Sequence, residues 1–164
     1  MKYLLFGGAP AVGKSETITR LKEFLESKGI ATSEEPVSIN EKGDFYAYLD
    51  GTNAAGAKVR VLVSSATDAI PEIQGFKSYC DSHEPYDIVI SPIRDTGDPE
   101  RANFFSIMGK PHPDSVVEIP MGKITKKNGY DQAIGWYRNA IDTLAHRVLS
   151  NAPFQLLSIN DIQT

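Results

Sequence analysis

The run Gly8-Ala9-Pro10-Ala11-Val12-Gly13-Lys14-Ser15 constrains this chain more than any other feature. It fits G-x-x-x-x-G-K-S at every fixed position and lies between two segments of different character. Before it, Tyr3 to Gly7 is a short apolar run ending in glycine, which predicts a buried strand. After it, Lys14 to Lys28 carries Ile18, Leu21 and Leu25 at helical spacing, with Gly29 as a natural stop. Glycines between a strand and a helix let successive N–H groups turn toward one point, and the helix aims its positive dipole end at that point. The loop is therefore an anion nest, with Lys14 to reach the anion and the Ser15 hydroxyl to ligate its divalent cation.

The rest of the chain alternates strands with helices. Ile30 to Ser33 begins a second strand, and Phe45 to Asp50 pairs with Lys58 to Ser65 as a β-hairpin across DGTNAAG. Asp68 to His83 reads as a helix with Pro71 in its first turn and Ile70, Ile73, Phe76 and Cys80 on one side. Tyr86 to Ser91 is a second central strand, and Asp98-Pro99-Glu100 opens a helix running to Met108 with a stop at Gly109. Ser115 to Ile119 follows as a strand. The longest helix, Tyr130 to Leu149, carries a stripe at Tyr130, Ala133, Ile134, Tyr137, Ile141, Leu144 and Val148, and Phe154 to Ile159 reads as a last strand. This order predicts an α/β fold: a three-layer, doubly wound, mainly parallel sheet with helices on both faces and an antiparallel hairpin addition.

No linker or repeat divides the 164 residues, so residues 1–164 form one domain large enough to fold without a disulfide or structural metal. A net charge of −4 supplies no broad basic face, so duplex nucleic acid is not an expected partner. Cys80 is the single cysteine, which fits a reducing compartment and a buried structural thiol. No apolar run reaches membrane length, and the expected location is cytoplasmic.

With these residues in place, the chain resembles the P-loop NTPase superfamily. The resemblance in motif covers Gly8 to Ser15. It implies binding of ATP (or GTP) with Mg²⁺, with Gly8, Ala9, Pro10, Ala11, Val12, Gly13, Lys14, Ser15 and Glu16 around the phosphates and Ser15 on the metal. Two finer resemblances compete. Glu35-Pro36-Val37 is similar to the E-P-V segment of deoxynucleoside kinases, which makes Glu35 the matching proton acceptor. In Pro92-Ile93-Arg94-Asp95, Arg94 matches the arginine of their E-R-S segment, although Ile93 and Asp95 replace its neighbours. Arg101 is a second candidate for a phosphate-neutralising arginine. Small GTP-hydrolysing switches share the hairpin after the first helix. Here KVRVLVSS ends without D-x-x-G, and Thr125-Lys126-Lys127-Asn128 carries Asn where a guanine-reading Asp is required.

An acidic residue on a central strand orients Mg²⁺ in most such proteins, yet neither central strand here ends in one. Asp68 and Asp95 are the nearest carboxylates at carboxyl ends of strands, where ligands gather in open α/β sheets. Asp68 also fits a helix cap and Asp95 a turn. Lys123, Lys126 and Lys127 form a basic loop that suits either a cationic lid or a solvated surface. His83, His112 and His146 have no metal-ligand spacing, and Trp136 and Tyr137 suit core packing or a partner contact. The expected activity is an ATP- and Mg²⁺-dependent phosphotransferase acting on a small hydroxyl-bearing acceptor. Lys14, Glu35, Arg94 and Arg101 would serve the chemistry, and Ser15 with Asp68 or Asp95 the metal. A non-catalytic nucleotide-binding module and a nucleoside-triphosphate hydrolase are the alternatives.

Overall fold

The computed structural model describes residues 1–109, 112–124 and 131–162. Strand β1 (Lys2–Gly7) is buried from Tyr3 onward, and its side chains alternate between two separate apolar cores. Leu4 and Phe6 join one core with Ile18, Leu21 and Leu25 of α1 (Lys14–Ser27) and Ile141, Ala145 and Leu149 of α4 (Asp131–Ser150). Tyr3 and Leu5 join the other with Ile73, Phe76 and Cys80 of α2 (Ile70–Ser82) and Phe104 and Met108 of α3 (Pro99–Met108). Helices thus cover both faces of a central sheet.

That sheet has seven strands. Besides β1 they are β2 (Ala31–Thr32), β3 (Val37–Ser38), β4 (Phe45–Thr52), β5 (Lys58–Ser64), β6 (Ile88–Ile93) and β7 (Val116–Pro120). The order is β2-β4-β5-β6-β1-β7, with β3 also on β4. The expected mainly parallel sheet is instead mixed: among the described residues, three parallel pairings join β5, β6, β1 and β7, and three antiparallel ones join β2, β3 and β5 to β4. The hairpin is the cause. Asn53 Oδ1 accepts the amides of Ala55 and Ala57, each at 3.0 Å, and Gly56 takes φ 78°, so the chain reverses within a few residues. β4 then runs against β5, and the short segments after α1 have only its outer edge to pair with.

Three further expectations need correction. The helix read from Asp68 starts at Ile70, because the Glu72 carboxylate accepts the amides of Asp68 at 2.8 Å and Ala69 at 3.1 Å and so caps the first turn from inside. Phe154 to Ile159 forms no strand. Gln155 has φ 51°, the amides of Leu156 and Leu157 both donate to the Leu149 carbonyl, and Phe154, Leu156 and Leu157 fold back into the core below α4. On α4 the buried face passes through Ala145 and Leu149, leaving Leu144 43% exposed and Trp136 72% exposed, so Trp136 is no core residue. Tyr130 lies outside the described residues.

Other expectations hold. Asp98 caps α3 by accepting the Glu100 amide at 3.0 Å, and Gly109 ends it with φ 85°. Cys80 is fully buried, and that burial pushes its thiol pKa up to about 12. Among the described residues no helix is long and apolar enough to cross a membrane.

Candidate functional site

The loop between β1 and α1 stands at the carboxyl end of the parallel strands. Ala11 takes φ 60° and Gly13 φ 91°, so the backbone coils on itself before the helix begins. Gly13 is the residue where a side chain would be strained, and it is also the residue preceding the first helical amide. Thr17 donates to the Gly13 carbonyl at 3.0 Å. The amides of Lys14, Ser15 and Glu16 precede the first intrahelical bond and have no acceptor among the described residues. Three aligned donors with a helix dipole behind them make the mouth of α1 attractive to an anion.

Lys14 does not point into solvent. It is 5% exposed and curls over its own loop, donating to the carbonyls of Gly8 at 2.5 Å and Ala9 at 3.1 Å. Its Nζ lies 3.6 Å from Asp68 Oδ1, which also lies 3.1 Å from Arg94 Nε. Burial lowers the Lys14 pKa from that of an ordinary lysine; Asp68 opposes the shift and Arg94 adds to it. One carboxylate therefore balances two cations at the loop mouth. The capping role for Asp68 does not survive, since Glu72 holds that position.

Asp68 Oδ1 is buried yet accepts no hydrogen bond with good geometry, despite its two ion pairs. Its charge is met by Lys14 and Arg94, and a bound cation would have to share it with them. The Ser15 hydroxyl donates to the Ser65 carbonyl at 2.8 Å, which leaves its lone pairs free. No three His, Cys, Asp or Glu residues gather around one point among the described residues. A cation here would rest on Ser15, Asp68, water and oxygens of its ligand, which is the pattern of a small, hard, oxygen-seeking ion beside a phosphate.

The other predicted residues are placed less centrally. Asp95 is exposed in the turn after β6, its side chain making no hydrogen bond or ion pair among the described residues; its carbonyl accepts the Asp98 amide at 3.1 Å, as a turn residue would. Arg101 is committed to Glu118 on β7 through two contacts of 3.0 and 2.5 Å, and it donates to the Arg94 carbonyl at 3.0 Å. The Glu118 carboxylate fills the space where a side chain at Gly7 would stand, so this pair borders the loop without opening onto it. Glu35 is exposed on the link between β2 and β3. Ser33 donates to the Tyr48 carbonyl and Val37 pairs with Tyr46, which sets Glu35 two to three residues down β4 from Phe45. At the rise of a strand that is about 7–10 Å from the end facing the loop. Lys123 is exposed, and Lys126 and Lys127 lie outside the described residues, as do Thr125 and Asn128.

A small cleft of about 90 Å³ opens beside the loop, between the start of α1 and the start of α4. Val12, Met121, Ile124, Ile134, Tyr137 and Ile141 line it, and Glu16 and Arg138 form an ion pair of 2.5 Å at its border. The Tyr137 hydroxyl accepts the Gly122 amide at 2.6 Å, fixing the ring. The slot mixes polar and apolar walls in about equal measure and lies directly beside the loop. Sequence reasoning missed the slot because its walls come from three segments far apart in the chain. It also missed Asp44, which is joined to Ser15 through Ser65 only after the hairpin forms.

The fold defines an α/β protein with a mixed sheet, seven-stranded among the described residues, and a tightly coiled loop at the head of its first helix. Comparison of the chain with family models, curated proteins and solved structures finds no match. Its function must therefore be argued from the site itself.

Proposed function

We propose that this protein binds a nucleoside triphosphate with Mg²⁺ in the loop Gly8–Ser15 and transfers the γ-phosphoryl group to a small hydroxyl-bearing acceptor, with water as the default acceptor. The observation that carries the reading is the buried Lys14 ammonium at the loop whose helix-start amides have no acceptor among the described residues, paired with an Asp68 that it shares with Arg94. Phosphoryl transfer needs charge neutralisation and positioning more than covalent chemistry, and those are the means assembled here. Lys14 and the amides of the loop would hold the β- and γ-phosphates, and Ser15 and Asp68 would hold Mg²⁺, which supplies polarisation of the phosphoryl oxygens. Arg94, held against Asp68, would neutralise the transferring group. The small cleft beside the loop, with Tyr137 in its wall, marks the side on which the nucleoside half would lie. Glu35 has no part in this reading, because it stands well down the sheet edge.

The test is incubation of the purified protein with γ-labelled ATP or GTP, Mg²⁺ and a panel of hydroxyl acceptors. Label on one acceptor class, or Mg²⁺-dependent phosphate release without acceptor, is the expected result, and Lys14→Ala should abolish it. Absence of binding by calorimetry for both triphosphates refutes the reading. The engagement of Arg101 by Glu118 favours a second reading, a nucleotide-binding module without turnover. Tight binding with no phosphate release and no labelled acceptor would select it.

A further inference from the structure

Strand β5 runs into two serines, Ser64 and Ser65, at the height of the loop, with no carboxylate of its own there. The neighbouring strand delivers one. Ser15 donates its hydroxyl hydrogen to the Ser65 carbonyl at 2.8 Å. Ser65 is 1% exposed and is held by β4 on both sides of its peptide: its amide donates to the Phe45 carbonyl at 3.0 Å, and its Oγ accepts the Phe45 amide at 2.8 Å. The same hydroxyl donates to Asp44 Oδ1 at 3.2 Å. Asp44 is fixed in turn, since its Oδ2 accepts from Asn40 Nδ2 at 2.8 Å, while Asn40 Oδ1 accepts the amides of Lys42 at 2.9 Å and Asp44 at 3.3 Å. An unbroken series of hydrogen bonds therefore runs from the 40–44 turn through Ser65 to the hydroxyl at the start of α1.

We propose that Asp44 and Ser65 are positioning residues for the metal ligand Ser15. A serine hydroxyl carries one hydrogen and two acceptor lone pairs. With the hydrogen pinned on a fixed carbonyl, both lone pairs are turned away from Ser65 and toward the mouth of the loop. Without the pin, the rotor spends part of its time presenting its hydrogen to a cation, which repels it. Asp44 fixes the Ser65 side chain, Ser65 fixes its own carbonyl, and the carbonyl fixes Ser15. The inference rests on the metal-nucleotide reading above. It assigns the β4–β5 hairpin a task beyond covering the sheet edge: it sets the orientation of a ligand on another element. Groups that orient a metal ligand at one remove commonly contribute 10–100-fold to metal affinity, and this indirect arrangement should give about tenfold.

Mn²⁺ serves as the probe, its affinity read by electron paramagnetic resonance in the presence of a non-hydrolysable ATP or GTP analogue. Asp44→Ala and Ser65→Ala should each weaken Mn²⁺ about tenfold while leaving metal-free analogue binding within about twofold. Asp44→Glu, which restores a carboxylate, should recover part of the loss. In a Ser15→Ala background, Ser65→Ala should cause no further loss, because both act through one hydroxyl. On the ligand-free protein, Ser65→Ala should speed hydrogen exchange at the Phe45 amide. If Ser65→Ala fails to fold, the half-buried Asp44→Ala and Asp44→Glu pair carries the test alone. The proposal is overturned if wild type binds Mn²⁺ with the analogue and the Asp44→Ala protein binds it equally well. It is equally overturned if the Ser15 and Ser65 losses add in full. A wild-type protein that binds neither analogue nor Mn²⁺ overturns it together with the reading beneath it.

Discussion

Asp68→Asn is the substitution that most sharply separates a metal-nucleotide site from an ordinary ion-pair cluster. In the ligand-free protein Asp68 balances Lys14 at 3.6 Å and Arg94 at 3.1 Å. Two unit charges at such distances attract by about 5 kcal/mol at an effective dielectric of about 20, and by about 1 kcal/mol in water. The Asp68 side chain is 37% exposed, so screening pulls each pair toward the lower value, and their joint loss should cost about 2 kcal/mol of stability. Lys14 also loses the group that opposes its downward pKa shift, so that pKa should fall further.

The ligand titrations carry the decisive signs. A triphosphate without metal meets two uncompensated cations in the variant and no carboxylate, so metal-free binding should hold or tighten by up to about tenfold, or ~1.4 kcal/mol. The gain in affinity on adding Mg²⁺ should shrink by about tenfold or more, since the cation has lost a ligand. Calorimetry of a non-hydrolysable analogue, with Mg²⁺ and with chelator, reads both changes on one protein. Asp95→Asn is the matched control: Asp95 is exposed without a side-chain partner among the described residues, and both affinities should stay within about twofold. If Asp68→Asn weakens metal-free binding, or keeps the full Mg²⁺ gain, the placement of Asp68 on the metal is wrong.

Other parts of the molecule give further checks. Tyr137→Ala should weaken a nucleoside triphosphate about tenfold in calorimetry while leaving inorganic tripolyphosphate unchanged, since Tyr137 lines the cleft and not the loop. Gly75→Ala on α2 would place a methyl 2.8 Å from the Tyr46 hydroxyl, which donates to the Glu72 carbonyl at 2.7 Å. The overpacking should cost about 1–3 kcal/mol, seen as a melting point lower by roughly 3–10 °C. Burial beside Phe24 holds the His146 pKa below that of a free histidine, with Asp142 opposing the shift and Lys28 adding to it. Below about pH 6.5 the unfolded chain takes up a proton that folded His146 refuses, so stability falls with pH until the folded value is passed. His146→Phe should flatten the slope of denaturant-measured stability in that window, and an unchanged slope refutes the assignment.

The parts of this protein legible in its sequence are those whose physics is local. The loop at Gly8 to Ser15 needs only glycine angles, a lysine and a helix start, all within eight residues. The cap at Asp98 and the stop at Gly109 are of the same kind. The strand alternation in β1 could be read because both of its faces are buried, making the whole run apolar. The failures share a different character. Ala31–Thr32 and Val37–Ser38 are strands only because β4 offers an outer edge, and no two-residue propensity announces that. Phe154 to Leu157 is apolar enough for a strand but is spent beneath α4.

The site divides along the same line. Glu35 was attractive because three residues matched a pattern, yet its position depends on how the chain returns to the sheet edge. Asp44 carries no local mark at all, and it reaches Ser65 through the hairpin register: Tyr46 pairs with Ser64, which brings Phe45 opposite Ser65 and Asp44 within hydrogen-bond reach of the Ser65 hydroxyl. A shift of one residue in that register would turn Asp44 to the opposite face and break the connection to Ser15. What the loop sequence determines is a coiled backbone that leaves the first helical amides without an acceptor among the described residues; what the hairpin register determines is which carbonyl the adjoining hydroxyl meets. The second property belongs to pairing between distant segments, so it could be found only once the strands were aligned.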